Sequence, residues 1–372
     1  MRIGILTFHR SHNYGAFLQA YSLMKFLQNR FPNHSVEIID YDSKIAHNNY
    51  IKRVFRSLKR FSLFYYIREY CVFKHSLKHL TLSRKRMVSD NLSKFKKLYE
   101  NDYDLIIVGS DQVWMIDGMR GFPNAYWLPD FKTRYKCSYA ASSRTEAITL
   151  KQKELDLVKK YINDFSYIGV RDNSTLKLLK DVTGNENVFF NPDPTFLWCF
   201  ENEIENNIFT KKHFRLKTDK RTIAIMVSDK NVCAQISKLL INDFNVISLY
   251  DKNAKCFNKV LNPFEWASII AHVDLVITNY FHPTCFSIKF NTQFISFDLN
   301  SNCLANSKIY DLLTRLELSD HYCEFQKTHL DSLIEKIRKL CVLKPDYSVQ
   351  VDKLYRQGVV SIDKMFANIT HD

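Results

Sequence analysis

Short apolar runs alternate with segments of helical period along most of this chain, and that alternation restricts its fold more than any other feature. Arg2 to Phe8, Val36 to Tyr41, Asp104 to Val108, Tyr135 to Ala141 and Tyr167 to Val170 have the length and content of strands. Gly15 to Arg30 places Phe17, Leu18, Tyr21, Leu23, Met24 and Leu27 at helical spacing, and Asn173 to Lys180 follows a capping Asp172 or Asn173. Strands without a polar face need cover on both sides. Parallel sheets with right-handed helical crossovers supply it.

The pattern restarts in the second half. Thr222 to Val227, Val246 to Tyr250, Leu275 to Thr278 and Phe294 to Phe297 are expected strands; Asn231 to Ile241, Pro263 to His272 and Ser307 to Leu316 are expected helices. A polar stretch, Glu201 to Lys220, separates the two series. The 372 residues therefore divide into two α/β domains, 1–205 and 206–326, each Rossmann-like and facing the other across a cleft. A basic helical insertion occupies about 44–100. A helical tail covers 327–372, with a break expected at Lys344-Pro345.

Charge is concentrated. The formal net charge is +14, and between Lys44 and Lys97 there are 15 Lys and Arg against Glu69 and Asp90 alone. Phe55, Phe61, Phe64, Tyr65, Tyr66, Tyr70 and Phe73 are interleaved with them. Such a segment suits a solvated basic face with its aromatics turned inward, or an anionic membrane surface. Nucleic acid is the least favoured partner. No run of about eighteen apolar residues is present, so no membrane-crossing helix is expected. The start, MRIGILTFHR, has the pattern of a first strand and not of a secretory leader, so a cytoplasmic protein, peripheral at the inner membrane face if the basic segment binds lipid, is expected. Nine cysteines without a CxxC pair point to reduced core residues rather than a disulfide framework or zinc site. His9 and His12 lie three apart without a recognisable third ligand, so no metal or cofactor is expected.

Chemistry-bearing residues cluster where expected strands end. LVITNYFHPTCFSIKF puts His282 and Thr284 at the junction of a strand and a helix, where ligands bind in open α/β sheets. A histidine there either carries a proton near neutral pH or caps and packs the helix. Asn13, Tyr14 and Gly15 form the first strand-to-helix turn, with free amides suited to phosphate or carboxylate, or simply a tight turn. Ser110, Asp111, Gln112 and Trp114 follow Asp104 to Val108; Asp111 is a base, a holder of a sugar hydroxyl, or a turn cap. Arg171 emerges from a strand end, available to a carboxylate or phosphate or to an ion pair with a neighbouring acid. Asp193 sits in the rigid turn NPDPT. GxGxxG and GxxxxGK[ST] are absent, which removes support for dinucleotide and Walker-type sites.

Taken in order, ILTFHRSHNYGAFLQAYSL, DLIIVGSDQVW, YAAS, IGVRDNST, NPDPTFL and VITNYFHPTCFSIKFNTQFISF resemble the polysaccharide pyruvyl transferase family over roughly Arg2 to Leu318. The resemblance implies a glycosyltransferase-B-like pair of Rossmann-type domains. It implies transfer of pyruvate from phosphoenolpyruvate to two hydroxyls of a sugar in a surface polysaccharide or its lipid-linked precursor, giving a cyclic ketal and phosphate. His282 matches the family's essential histidine and Arg171 its arginine after the mid-chain strand. On that basis His282 and Asp111 are the expected catalytic pair. Arg171, Asn13, Tyr14, Gly15, Thr284 and Lys308 are expected to bind the donor, and Ser110, Gln112, Trp114 and Asp193 the acceptor. Three departures stand out: Ala16 where members often have aspartate, Pro283 after the histidine, and Lys308 in place of an arginine. A nucleotide-sugar glycosyltransferase of the same fold class, and a non-catalytic membrane-associated assembly protein, are the alternatives.

Overall fold

The protein's computed structural model describes residues 1–57, 63–143, 145, 149–184, 187–207, 216–248, 260–299 and 307–370. Of the expectations above, Phe61, the end of the strand at Tyr250 and part of the 201–220 link lie outside the described residues, as does the side chain of Phe55.

The first half runs β1 (Arg2–Leu6), α1 (Tyr14–Arg30), β2 (Ser35–Asp42), α2 (Lys44–Ser57), α3 (Leu63–Ser76), β3 (Leu82–Val88), α4 (Leu92–Tyr99) and β4 (Leu105–Val108). It continues through β5 (Tyr135–Ala141), α5 (Gln152–Ile162), β6 (Tyr167–Val170), α6 (Asn173–Thr183) and β7 (Val188–Phe190). The second half holds α7 (Glu201–Glu205), β8 (Thr222–Met226), α8 (Lys230–Leu240), β9 (Asn245–Ser248), α9 (Pro263–His272), β10 (Leu275–Thr278) and α10 (Phe281–Lys289). It ends with β11 (Gln293–Phe297), α11 (Lys308–Arg315), β12 (Tyr322–Cys323), α12 (Leu330–Val342) and α13 (Ser348–Thr370).

Two compact units result. The first comprises Met1–Trp198 and Leu354–Asp372, the second Cys199–Lys353. This division lies a few residues before the expected boundary. It also splits the expected separate tail, because α12 packs within the second unit while most of α13 belongs to the first. Phe366 of α13 stacks on Phe31 at 4.0 Å, and Asp363 pairs with Arg30 at 3.1 Å.

The first unit's sheet has strand order β3-β2-β1-β4-β5-β6-β7, parallel throughout. The chain order reverses between β1 and β4, and a doubly wound sheet opens a crevice at the carboxyl ends of the strands at such a point. β1, β4, β5 and β6 are almost wholly buried, as their unbroken apolar runs require. One core face is built on Trp114, Trp127, Tyr126, Phe95 and Tyr99.

β3 corrects the expectation of an all-helical basic insertion. It pairs parallel to β2 at the sheet's edge, with Arg84, Lys85 and Arg86 exposed and Ser83 buried. Charges along an outermost strand discourage pairing with another chain, and here they also hide a strand's alternation.

The second unit's sheet runs β12-β11-β10-β8-β9, also parallel. Its reversal lies between β8 and β10. Asn262 caps α9 by accepting from the amides of Phe264 and Glu265, and the Glu265 carboxylate in turn accepts from the Asn262 amide at 2.7 Å. That reciprocal box, with Pro263 in the first turn, fixes the helix start.

Candidate functional site

In the first unit the chain leaves β1 through Thr7 and His9, both buried. Asp40 of β2 stands beside that exit. Its carboxylate accepts from Arg10 through Nε and, at 2.7 Å, through Nη2, while His9 Nε2 lies 3.3 Å away. Burial alone would raise the Asp40 pKa; the His9 and Arg10 hydrogen bonds and the Arg10 charge override it and hold the carboxyl well below the usual range. Asp40 thus fixes the 9–13 loop. Asn13 caps α1 by accepting from the Ala16 amide at 3.1 Å, so the expected turn of Asn13, Tyr14 and Gly15 is a well-formed helix start.

A cavity of about 380 Å³ opens beside this loop. His9, Arg10, Ser11, His12 and Asn13 form one wall, and α2 and α3 contribute Tyr50, Tyr70, Phe73 and Lys74. Arg86 of β3 and Arg120, from the loop after β4, complete a cationic side. The His12 ring lies 3.7 Å from that of Tyr50 and 4.9 Å from that of Phe73; Tyr14 stacks on Phe73 at 5.2 Å. The Arg120 guanidinium sits 3.7 Å over the Phe8 ring. The basic, aromatic segment is therefore partly a cavity wall. Its own composition signalled this, as did FHRSH in the first loop, but only topology brings the two together.

Farther along the same sheet, Arg171 leaves β6 and is buried. Nη1 donates to Asp193 Oδ2 at 2.8 Å and to Gln19 Oε1 at 3.0 Å, and Nη2 lies 3.6 Å from Asp111. Burial opposes its charge, but Asp193 and Asp111 outweigh burial and raise its pKa. Asp193 Oδ1 also accepts from the Thr195 amide and hydroxyl. Asp193 is buried inside this network, so it offers an acceptor no free face. Asp172 caps α6, accepting from Thr175 N at 2.9 Å, and adds to the negative charge near Arg171. Gly169 is needed because a Cβ there would stand 1.6 Å from Asn191 Oδ1.

Asp111 has φ +85°, a left-handed conformation uncommon for a residue with a side chain. Its carboxylate accepts from the Gln112 amide at 2.8 Å and keeps some exposure, as does Gln112. Ser110 is fully buried. Trp114 corrects the expectation of acceptor contact: its indole is fully buried, donates to the Tyr126 carbonyl at 3.0 Å and stacks on Trp127 at 5.6 Å. A saccharide has no access to it.

In the second unit, β10 gives way to α10 as the sequence implies. Tyr280 is the cap and His282 lies in the first turn, partly buried, beside the sheet's order reversal. Thr284, expected at the donor, is turned to the fold: it is buried and donates to the Tyr280 carbonyl at 3.1 Å, with Ser296 Oγ of β11 at 2.7 Å. Lys308 opens α11 behind the capping Ser307. Among the described residues no group of three or more His, Cys, Asp or Glu is placed to hold a metal ion, and no helix is long and apolar enough to cross a membrane.

Comparison with solved structures shows the fold. UDP-GlcNAc 2-epimerase from Neisseria meningitidis, bound to UDP-GlcNAc, superposes with a TM-score of 0.57 at 10% identity, covering 100% of both chains. S. aureus MnaA with UDP gives 0.56 at 10% identity, over 96% of this chain and 90% of that one. UDP-GlcNAc 2-epimerase from Methanocaldococcus jannaschii gives 0.53 at 10%, over 93% and 94%. These similarities establish a glycosyltransferase-B-like α/β architecture and do not extend to chemistry. No curated protein matches the sequence. The sequence profile described as polysaccharide pyruvyl transferase matches residues 13–301, which include the first turn, GSDQVW, Arg171 and His282. The chain belongs to the polysaccharide pyruvyl transferase family.

Proposed function

We propose that the protein transfers the pyruvyl group of phosphoenolpyruvate to two hydroxyls of one sugar, forming a cyclic ketal and releasing phosphate. Family membership across residues 13–301 is the observation that carries this reading. Two sugar oxygens bond to the enol carbon, the bond from that carbon to the phosphate oxygen breaks, and the methylene gains a proton to become a methyl. One hydroxyl proton balances that gain; the other leaves with phosphate or to solvent. His282 is the proposed acid–base group, because an imidazole can both take up and give back a proton, and this one lies in the first turn of a helix after a buried strand, where such sheets hold ligands. Lys308 and the amides that open α11 suit the donor's anionic groups. Asp111 is the proposed partner of an acceptor hydroxyl. Arg171, already neutralised by Asp193 and Asp111, is proposed to position Asp111 rather than to grip the donor alone.

An acceptor on a lipid carrier fits the basic segment. On α3, Phe64 is 86% and Ile67 45% exposed within a strongly cationic stretch, a composition suited to an anionic membrane surface.

The test is phosphate release from phosphoenolpyruvate with and without saccharide, with the product followed for a pyruvate-sized mass gain. Release should require the saccharide, and His282→Ala should abolish it while leaving the melting temperature near that of the parent. Full turnover by that variant removes His282 from the mechanism. Failure of phosphoenolpyruvate with every saccharide tried, alongside turnover of a nucleotide sugar, replaces the reading with glycosyl transfer.

A further inference from the structure

The cavity of the first unit differs in kind from the surroundings of His282. One side is aromatic: Tyr50, Phe73 and Tyr70 line it, and Tyr70 is 40% exposed. The lining is also cationic, and Lys74 Nζ lies 6.0 Å from the centre of the Tyr70 ring. Arg10, Lys74, Arg86 and Arg120 line the cavity, opposed by Asp42 as the one lining carboxylate among the described residues.

These charges are not equivalent. Arg10 is bound through two nitrogens to Asp40, so its charge is matched within the fold. Asp42 is in turn held by His47 Nδ1 at 3.4 Å. Lys74 and Arg86 form no ion pair among the described residues; Arg120 is attracted to Asp42 without a direct pair, and its Nε is buried without a hydrogen-bond partner there. A buried guanidinium N–H without an acceptor is costly, and a ligand oxygen is one way to satisfy it. Three cations against the single carboxylate of Asp42, which Arg120 attracts, leave an excess of about two positive charges around one small space; that favours an anionic ligand, and guanidinium groups bind phosphate oxygens in pairs. The volume falls within the range of small-ligand sites, about 300–1,000 Å³.

We propose that this cavity binds a phosphorylated saccharide, with Lys74, Arg86 and Arg120 on the phosphate and Tyr70, the exposed ring beside the His12–Tyr50–Phe73 stack, against the sugar ring. The proposal rests on the reading that the chain handles a saccharide acceptor, and it gives that acceptor a chemical class: a glycosyl phosphate or diphosphate. The same chemistry comes from a free sugar phosphate or from a lipid-linked glycosyl diphosphate. The Tyr70 ring gives a flat apolar surface to the C–H face of a sugar, which inorganic phosphate cannot use.

The test measures binding by calorimetry on the full chain, without phosphoenolpyruvate and without turnover. Probes are glucose 1-phosphate, a short-chain lipid-linked glucosyl diphosphate, inorganic phosphate, phosphoenolpyruvate and uridine diphosphate. At least one glycosyl probe should bind more tightly than inorganic phosphate, and the tighter of the two identifies the source. Lys74→Ala combined with Arg86→Ala should weaken that binding by at least about tenfold. Tyr70→Ala should weaken the glycosyl probe and leave inorganic phosphate unchanged. Lys94→Ala combined with Lys97→Ala removes equal charge from α4, outside the cavity lining, and should weaken binding far less. These variants lie at exposed positions, and a thermal melt verifies their folding.

Equal losses in the two double variants reduce the effect to overall charge and overturn the proposal. So does displacement of the glycosyl probe by phosphoenolpyruvate at comparable concentration, which makes the cavity a donor pocket. Tighter binding of uridine diphosphate than of either glycosyl probe overturns it as well. A protein that binds the glycosyl probe here yet forms no ketal keeps this inference and loses the pyruvyl reading, so the two fail separately.

Discussion

Arg171 and Asp193 share a hydrogen bond of 2.8 Å between side chains that are each about 2% exposed or less. A charge so placed is tolerable only with its counter-charge. Asp193→Ala should therefore lower stability by about 3–5 kcal/mol, seen as an earlier denaturant midpoint. Arg171→Met combined with Asp193→Leu should recover much of that loss, since neither charge is then stranded. Wild-type stability of Asp193→Ala contradicts the network.

Asp40 should govern part of the acid limb of stability. Its folded-state pKa is depressed by His9 and Arg10 against the opposing effect of burial. The stabilisation is thus fully present above the unfolded value, about 3.9, and is lost as pH falls from there toward the depressed folded value. Asp40→Asn should melt earlier at pH 7, and the gap between the two melting temperatures should narrow below about pH 3.9. A gap independent of pH rules out the proposed linkage.

Trp114 should behave as a core residue. Trp114→Ala should cost about 3–5 kcal/mol, whereas Trp114→Phe should keep most of the stability. In an assay with a competent acceptor, Trp114→Phe should leave the acceptor KM unchanged. A large KM increase in a stably folded Trp114→Phe protein restores the acceptor role that the buried indole argues against.

Exposed aromatic and aliphatic side chains on α3 should promote attachment to lipid. Sedimentation with vesicles of anionic phospholipid should retain the parent protein and release it as salt rises. Phe64→Ser with Ile67→Ser should reduce retention at fixed salt, because apolar insertion adds to the electrostatic term. Equal retention of the two proteins confines the segment's role to its charge.

Local signals carried well. Pro263 to His272 appears as a helix with the expected limits because an asparagine cap, a proline in the first turn and a glutamate three residues on all act within one turn. Leu275 to Thr278 and His282 occupy the expected strand and helix start for similar reasons. Signals that depend on distant partners did not carry. β3 is a strand because β2 lies beside it, although Arg84, Lys85 and Arg86 give it the appearance of a solvated run. The resemblance assigns Asp193 to the acceptor, yet Arg171, 22 positions earlier, occupies it. Trp114 follows a strand end as a ligand residue would, yet Tyr126 and Trp127 close over it. The cavity wall joins a loop at residues 9–13 to side chains near 50, 70, 86 and 120, a conjunction set by sheet order and by no local pattern.

The first compact unit is built from two stretches far apart in sequence, with Leu354–Asp372 completing what Met1–Trp198 begins. On the ribosome the amino-terminal sheet therefore emerges long before Asp363 and Phe366 exist to cover Arg30 and Phe31. The nascent protein must carry those uncovered side chains through synthesis of the whole intervening unit, so loss of α13 leaves a defect in a sheet made some three hundred residues earlier.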